Sequence, residues 1–251
     1  MRDVAGGPGQ HARGQDIGLG PAAAEPAGKF PDRRGQALQG RRPDSRSRAP
    51  SRPLPLAARL KALAAGMEAR EANVFCAVLR PPGEGDELLA DRGIRPARFD
   101  VVVLIRTVSV EAALAVRESA AYKELAQTLR ATARRTHQIV ADNAGRLGDV
   151  DHSQDHCFLF NYFYADDRET LLKVWHYTAG WFQAKTALPN SALVQPLEGE
   201  PADYGLVNHA SWPNWRTFLP SLIFRPTFRS FVLVNFKANG VAAQPIIYRR
   251  V

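Results

Sequence analysis

The chain has 251 residues, of which 45% are hydrophobic, and a formal net charge of +8 at pH 7, a size that suits one large domain or two small ones. The basic excess lies in residues 1–66, which hold 12 Lys/Arg against 5 Asp/Glu, so the remaining chain is nearly balanced and has no basic surface for nucleic acid. No stretch is as long and apolar as a membrane helix and no secretory signal opens the sequence, so we expect a cytoplasmic protein without a membrane partner.

Residues 1–55 are rich in Gly, Pro, Ala and Arg and have no sustained apolar period. Such a segment cannot bury enough apolar surface to offset the entropy lost on ordering, so we predict a disordered basic tail. A short amphipathic helix is predicted over residues 54–69. Met67 is an alternative translation start, and the presence of this helix argues against it.

The next part of the chain contains two apolar runs separated by a PPGEGDE loop. Ser109 is positioned to cap a helix, with Glu111 in the first turn. Polar residues alternate with His137, Ile139 and Ala141, which favours a strand there. The predicted elements are strands at 74–79 and 99–107, a helix at 110–118, a second helix ending near 134, and a strand at 136–143.

Residues 149–156, with the sequence DVDHSQDH, hold three Asp and two His, which are residue types that bind zinc or iron. They lie between two predicted strands without a third group at helical spacing, so a solvated turn between domains is the favoured interpretation. Cys76 and Cys157 fall in apolar strands and are expected to be buried thiols rather than a disulfide or metal ligands. We expect no metal and no cofactor.

The run CFLFNYFY, residues 157–164, predicts a buried strand. Its one amide, Asn161, shares a strand face with Cys157, Leu159 and Phe163. A polar amide on an apolar face needs a hydrogen-bond partner. Asn161 is therefore expected to bond either to a helix end or to a ligand.

After this strand the chain alternates helices and strands. An acidic segment, 166–170, begins a long helix, and Asn214 is positioned to cap a later one. The predicted elements are a helix at 166–187, strands at 192–197 and 204–212, helical residues at 214–224 and 228–239, and a last strand at 244–249.

The order strand, helix, strand, strand, helix, strand from residue 157 onward is the ferredoxin-like plan. A shift of 105 residues places 99–106 on 204–211 and Ser109 on Asn214, which indicates an earlier, weaker copy without a clear opening strand or long first helix. We therefore predict an α+β protein with a disordered tail at 1–55, a degenerate ferredoxin-like module at 72–148 and an intact one at 155–251.

The segments FLFNYFY (158–164) and DYGLVNHASWPNW (203–215), with the helix that contains Trp175, resemble the antibiotic biosynthesis monooxygenase group of the dimeric α/β barrel superfamily. In that group a strand carrying Val-Asn and ending in Trp leads into the second helix. The resemblance covers 155–251 well and 72–148 loosely. It implies two ferredoxin-like units whose sheets form a barrel, with a small-molecule cavity between sheet and helices. In this chain the tandem could form that barrel within one polypeptide.

The resemblance implies a cofactor-independent oxygenase that acts on an aromatic or polyketide-type molecule. Haem-degrading relatives share Asn161 by position, but residues 227–232, TFRSFV, offer no counterpart to their iron-binding His, so haem degradation is not expected. The catalytic candidates are Asn161 and His209. The candidate substrate-binding residues are Phe163, Trp175, His176, Trp181, Asn208 and Trp212.

Several alternatives stay open on sequence alone. His209 is the candidate acid or base because an imidazole titrates near neutral pH, yet alternation puts Asn208 and His209 on opposite strand faces, so only one can face the cavity. A surface or dimer-seam role for His209 and a core role for each Trp are the simpler interpretations. A barrel that only binds a small molecule or mediates association is the second functional hypothesis. The chain either closes its own barrel or forms a homodimer.

Overall fold

Strands and helices alternate through a computed structural model that describes residues 17–26 and 53–251. The strands are β1 (Ile17–Pro26), β2 (Glu71–Leu79), β3 (Val101–Thr107), β4 (Ala133–His137), β5 (Val140–Gly148), β6 (Cys157–Tyr164), β7 (Asn190–Pro196), β8 (Leu206–Trp212) and β9 (Ala242–Arg250). The helices are α1 (Pro53–Ala65), α2 (Asp86–Asp91), α3 (Val110–Glu118), α4 (Ala120–Thr132), α5 (Arg168–Thr186), α6 (Trp215–Phe224) and α7 (Val234–Ala238), and a π-helical turn, Phe228–Leu233, precedes α7. The predicted α+β class is confirmed.

One curled antiparallel sheet contains all of these strands, in the order β3-β2-β9-β6-β8-β7-β5-β1-β4. Strand β1, which is next to last in this order, also pairs with β3, the first strand. Before residue 149 the strands are ordered β5-β1-β3-β2, with the short β4 also paired to β1, and those after it are ordered β9-β6-β8-β7. We call these two sets the first half and the second half. They meet along the β2–β9 and β5–β7 pairs.

Strand β1 lies within the segment 1–55 that the sequence predicts to be a disordered tail. Its Gly- and Ala-rich sequence carries no apolar alternation, but backbone hydrogen bonds to β3, β4 and β5 do not require one. The other residues of that segment, 1–16 and 27–52, lie outside the described part of the chain. Strand β1 and helix α1 lie before residue 72 and thus outside the bounds of the predicted module at 72–148.

Side-chain caps set the start of the main helices as the sequence predicts. Ser109 Oγ accepts a hydrogen bond from the backbone N–H of Ala112 at the start of α3. Asn214 Oδ1 accepts one from the N–H of Arg216 at the start of α6. Each cap satisfies a helix N–H group that has no partner within its helix.

The sheet has two chemically different faces, because successive strand residues point to opposite sides. We call the face that carries Phe160 and His209 the inner face; its core includes Phe75, Phe158 and Tyr162. We call the opposite side the outer face. In the first half, α1, α3 and α4 cover the outer face, and in the second half α5, α6, the π-helical turn and α7 cover it.

The connection between the halves, residues 149–156, is solvated only in part. Asp151, Ser153 and Gln154 are exposed, as a turn predicts, but His152 is only 4% exposed. His152 is buried because its ring reaches the inner face and stacks near Phe158 and His209. The interpretation of this segment as a wholly solvated turn is therefore wrong for His152.

Candidate functional site

Two amides lie side by side on the outer face of the second half. Strands β6 and β8 are antiparallel neighbours, and their register places Asn161 directly opposite Asn208. Directly opposed residues of such a pair lie close together on one face. Two amide side chains thus form a polar spot on an otherwise apolar part of the sheet.

A cavity of about 550 Å³ lies between this face and the helices that cover it. Its volume is within the range of small-molecule sites in proteins. Asn161 and Asn208 form part of its lining, and the walls are mainly apolar and aromatic. The aromatic lining residues are Phe163, Trp175, Phe182, Trp212, Phe218, Phe228 and Phe236.

Asn161 Oδ1 is buried and accepts no hydrogen bond from any described residue. A buried acceptor without a partner costs free energy, on the order of 1–3 kcal/mol. The sequence leaves two roles open for this amide, a bond to a helix end or a bond to a ligand. Oδ1 does not bond to a helix end among the described residues. The Asn161 side chain lines the cavity, but Oδ1 itself has almost no accessible surface, so it meets a donor there only if the amide rotates.

Asn208 is held differently. Its Oδ1 accepts a hydrogen bond of 2.5 Å from Ser191 Oγ, and the Ser191 side chain also lines the cavity. This bond fixes the amide and leaves its Nδ2 group available as a donor. The pair thus offers one acceptor, on Asn161, and one donor, on Asn208.

Few ionisable groups reach this cavity. Of its lining residues, only Arg80, Glu84 and Arg229 carry side chains that ionise in the neutral range or are charged there. Arg80 forms an ion pair with Asp100, and Arg229 is exposed. The polar floor is therefore uncharged, and hydrogen bonds rather than ion pairs would orient a ligand there.

The structure brings together five of the residues predicted for the site. Asn161, Asn208, Phe163, Trp175 and Trp212 all line the cavity. The Trp212 indole N–H is itself satisfied, since it donates to the carbonyl oxygen of Thr186 at 3.1 Å. Trp212 therefore offers a ligand its apolar ring rather than a donor.

The other three predicted residues do not line this cavity. His176 is exposed on α5, and Trp181 is buried under the π-helical turn, where its Nε1 donates to Thr227 Oγ1 at 3.0 Å. The sequence predicts that both lie on faces of the helix next to its apolar stripe, and neither of these faces borders the cavity.

His209 lies on the inner face, away from Asn161 and Asn208. It is 3% exposed and stacks on Phe160 with a ring-centroid distance of 4.1 Å. Burial, followed by the nearby His152, holds the pKa of His209 well below its usual value. Alternation along β8 explains the placement, because adjacent residues cannot share a face, so His209 is not an acid or base for this cavity.

Sequence reasoning missed Ser191 and His152. Ser191 is fully buried and anchors Asn208, but a serine at the start of a short strand gives no signal of its partner. His152 was missed because its neighbours in sequence are polar, which predicts an exposed turn. Among the described residues, no group of three or more His, Cys, Asp or Glu side chains has the arrangement of a metal site.

Neither family models nor curated proteins give a sequence match to this chain. The structure, however, resembles that of an anthrone oxidase-like protein, with a TM-score of 0.61 and 9% identity over 95% of this chain and 92% of that one. A monooxygenase-like protein from Fusobacterium nucleatum aligns with a TM-score of 0.52 and 4% identity over 94% of this chain and 92% of that one.

The fold is monooxygenase-like. At these identities the likeness concerns the fold alone, since one fold serves many functions. Within residues 17–26 and 53–251, helices long and apolar enough to cross a bilayer are absent.

Proposed function

We propose that the cavity binds an aromatic, polyketide-type molecule and that the protein oxidises it with dioxygen, without a cofactor. The observation that carries this proposal is the unbonded Asn161 Oδ1 in an apolar cavity. Such an oxygen is costly unless a ligand supplies a donor. The fold shared with an anthrone oxidase-like protein supports the substrate class.

In the proposed complex, a phenolic ring system of the anthrone type places its oxygen between the two amides. Asn161 Oδ1 accepts the hydrogen bond of a substrate hydroxyl, and Asn208 Nδ2 donates to a substrate oxygen. The donated bond stabilises negative charge that develops on oxygen when the ring methylene loses a proton. The aromatic walls keep bulk water from this charge and hold the ring plane.

The proposed overall reaction converts the activated methylene to a carbonyl. One atom of dioxygen becomes the carbonyl oxygen, and the other leaves as water with the two methylene hydrogens. Dioxygen is thus both the oxidant and the oxygen source. The protein's contribution is to bind, orient and stabilise the substrate anion, which suits a floor without ionisable groups.

The experiment is oxygen uptake with an anthrone-type phenol, by the wild type and by Asn161→Ala and Asn208→Ala. We expect Asn208→Ala to lose about 10²-fold in kcat/KM, the effect of removing one preorganised hydrogen bond to a developing anion. Asn161→Ala, which removes an acceptor for a substrate hydroxyl, should lose less. Asn239→Ala is a matched control, because Asn239 is exposed at the end of α7 and does not line the cavity. Equal uptake by all variants would contradict the roles of the two amides.

A second candidate function is binding without catalysis. It is favoured by the scarcity of ionisable groups in the lining, where only Arg80, Glu84 and Arg229 occur, because no general base stands at the two amides. Calorimetric binding of the same phenol without any oxygen uptake by the wild type would support this candidate over the enzyme.

We also propose that the two halves are tandem ferredoxin-like modules that together form the barrel made elsewhere by two chains. The support is the shared strand order, in which β5-β1-β3-β2 corresponds to β9-β6-β8-β7, and the reciprocal β2–β9 and β5–β7 pairs. A chain that closes its own sheet has no need of a homodimer. We expect a monomer by light scattering, and a stable dimer would contradict this.

A further inference from the structure

Three titratable side chains form a continuous hydrogen-bonded chain on the inner face. His152 Nδ1 lies 2.7 Å from Glu71 Oε1, and His152 Nε2 lies 2.8 Å from His209 Nε2. His209 Nδ1 lies 3.0 Å from the carbonyl oxygen of Leu159. The two imidazoles are 4% and 3% exposed, so little bulk solvent reaches these bonds.

The number of protons in this chain follows from its ends. The Leu159 carbonyl only accepts, so His209 Nδ1 carries a hydrogen. The contact between the two Nε2 atoms needs one hydrogen, and so does the contact between His152 Nδ1 and Glu71. Three bonds thus require three hydrogens, whereas two neutral imidazoles and a carboxylate carry two. The hydrogen-bonded group of Glu71, His152 and His209 therefore holds one additional proton.

That additional proton belongs to His152. Burial alone would raise the pKa of Glu71, but the hydrogen bond and the charge of His152 overcome this and lower it to about 2. Burial and the charge of His152 hold the pKa of His209 well below its usual value. Glu71 is then a carboxylate and His209 a neutral Nδ1–H tautomer, so His152 is the imidazolium that donates from both nitrogens.

Further charged groups and a small cavity surround the three side chains. Arg106 Nη1 lies 2.9 Å from Glu71 Oε2 and holds the carboxylate from the other side. A cavity of about 40 Å³ touches both imidazoles, enough for at least one water. The charged and aromatic groups that face the two rings are Glu71 and Phe75 from β2, Arg106 from β3, Arg146 from β5, Asp149 from the connection, and Phe158 and Phe160 from β6.

We propose that Glu71, His152 and His209 form a proton-binding site that fastens the two halves of the molecule. Glu71 belongs to β2 of the first half, His209 to β8 of the second, and His152 to the connection between them. Loss of the bound proton breaks one of the three bonds and leaves a buried nitrogen unpaired, which loosens the connection from the inner face. The site lies on the opposite side of the sheet from the cavity and does not depend on the function proposed for it.

The test is nitrogen NMR of the full chain with labelled histidine at pH 7. We expect one imidazole, His152, with hydrogens on both nitrogens and one, His209, with a hydrogen on Nδ1 alone. In Glu71→Gln the ratio of doubly to singly protonated His152 should fall at least about tenfold, because the negative charge that favours the imidazolium is removed. His156→Gln is the control, because His156 has Ser211 Oγ as its hydrogen-bond partner, at 3.4 Å, and lies outside the hydrogen-bonded chain.

The wild-type spectrum alone decides the question, even if a variant fails to fold. Two neutral imidazoles at pH 7 would overturn the proposal, as would a His209 that carries its hydrogen on Nε2. An unchanged His152 signal in Glu71→Gln would overturn the role of the carboxylate.

Discussion

Asn208 and His209 are neighbours in β8, and they lie in opposite surroundings. Asn208 faces a cavity of about 550 Å³ beside Asn161, whose oxygen accepts no hydrogen bond within residues 17–26 and 53–251. Both ring nitrogens of His209 are hydrogen-bonded and its ring is stacked on Phe160. The outer face of the second half thus keeps space and an unsatisfied acceptor, whereas this part of the inner face fills its space and satisfies its imidazoles. Under the two proposals above, the outer face binds the ligand and the inner face holds the two halves together.

The largest expected effect is on the free energy of unfolding, when one aromatic side chain on each face is replaced by alanine. Phe160→Ala should cost about 3–5 kcal/mol of unfolding free energy, because Phe160 is 1% exposed and tightly packed by Phe75 and His209. Phe163→Ala should cost less, since Phe163 already borders open space in the cavity. Urea unfolding measures both, and equal losses would remove the distinction between the faces.

A smaller difference in stability is expected between replacing an amide that is hydrogen-bonded in the protein and replacing one whose oxygen is not. Asn190 exchanges hydrogen bonds with Ser211, through Nδ2 at 3.0 Å and Oδ1 at 2.9 Å, so Asn190→Ala should destabilise by about 1–3 kcal/mol. Asn161→Ala removes an oxygen that has no partner and should leave the unfolding midpoint unchanged or slightly higher. A large loss of stability in Asn161→Ala would show that its amide serves the fold rather than a ligand.

The inner face also holds an imidazole with an unbonded nitrogen, His137, which tests the comparison from the other side. Burial lowers the pKa of His137 to about 4, and its Nε2 has no partner among the described residues. Between the unfolded value of 6.5 and about 4 the unfolded chain binds the extra proton, so stability is full above pH 6.5 and falls as pH decreases through this window. His137→Phe should flatten that part of the stability curve, measured by urea unfolding at pH 4.5 and 7.

Glu71 should give a smaller dependence at lower pH, because its side chain is partly exposed. Its pKa is about 2 in the folded chain, below the 4.5 of a free glutamate side chain. A lowered carboxyl pKa contributes stability above pH 4.5 that is lost as pH falls toward 2. Thermal melting between pH 5 and 2.5 should show a shallower decline in Glu71→Gln than in the wild type, and parallel curves would contradict the pairing with His152.

Local features in both halves could be predicted from sequence. The aromatic run of β6, the caps Ser109 and Asn214, and the opposite facing of Asn208 and His209 all follow from local rules and agree with the structure. Strand β1 could not be predicted, because backbone pairing with distant strands holds it rather than an apolar pattern.

The site could be predicted in part, because strand alternation is a local rule. Alternation put Asn161 on a face with Leu159 and Phe163, but which face bears the cavity depends on where the helices pack. The role of His152 was not predictable, because its partners Glu71 and His209 lie 81 and 57 residues away along the chain. Hydrogen bonds over such separations leave no local pattern.

The matching strand orders of the two halves have a consequence for how this molecule can change. In an assembly of two identical chains, every substitution appears twice, so a wider cavity in one copy is a wider cavity in both. Here each half is encoded separately: the first packs α1 and α4 on its outer face through Leu60, Leu125 and Leu129, while the second leaves room beneath α5 and α6. Mutation can therefore reshape the binding wall around Asn161 while the other half keeps its stabilising core unaltered.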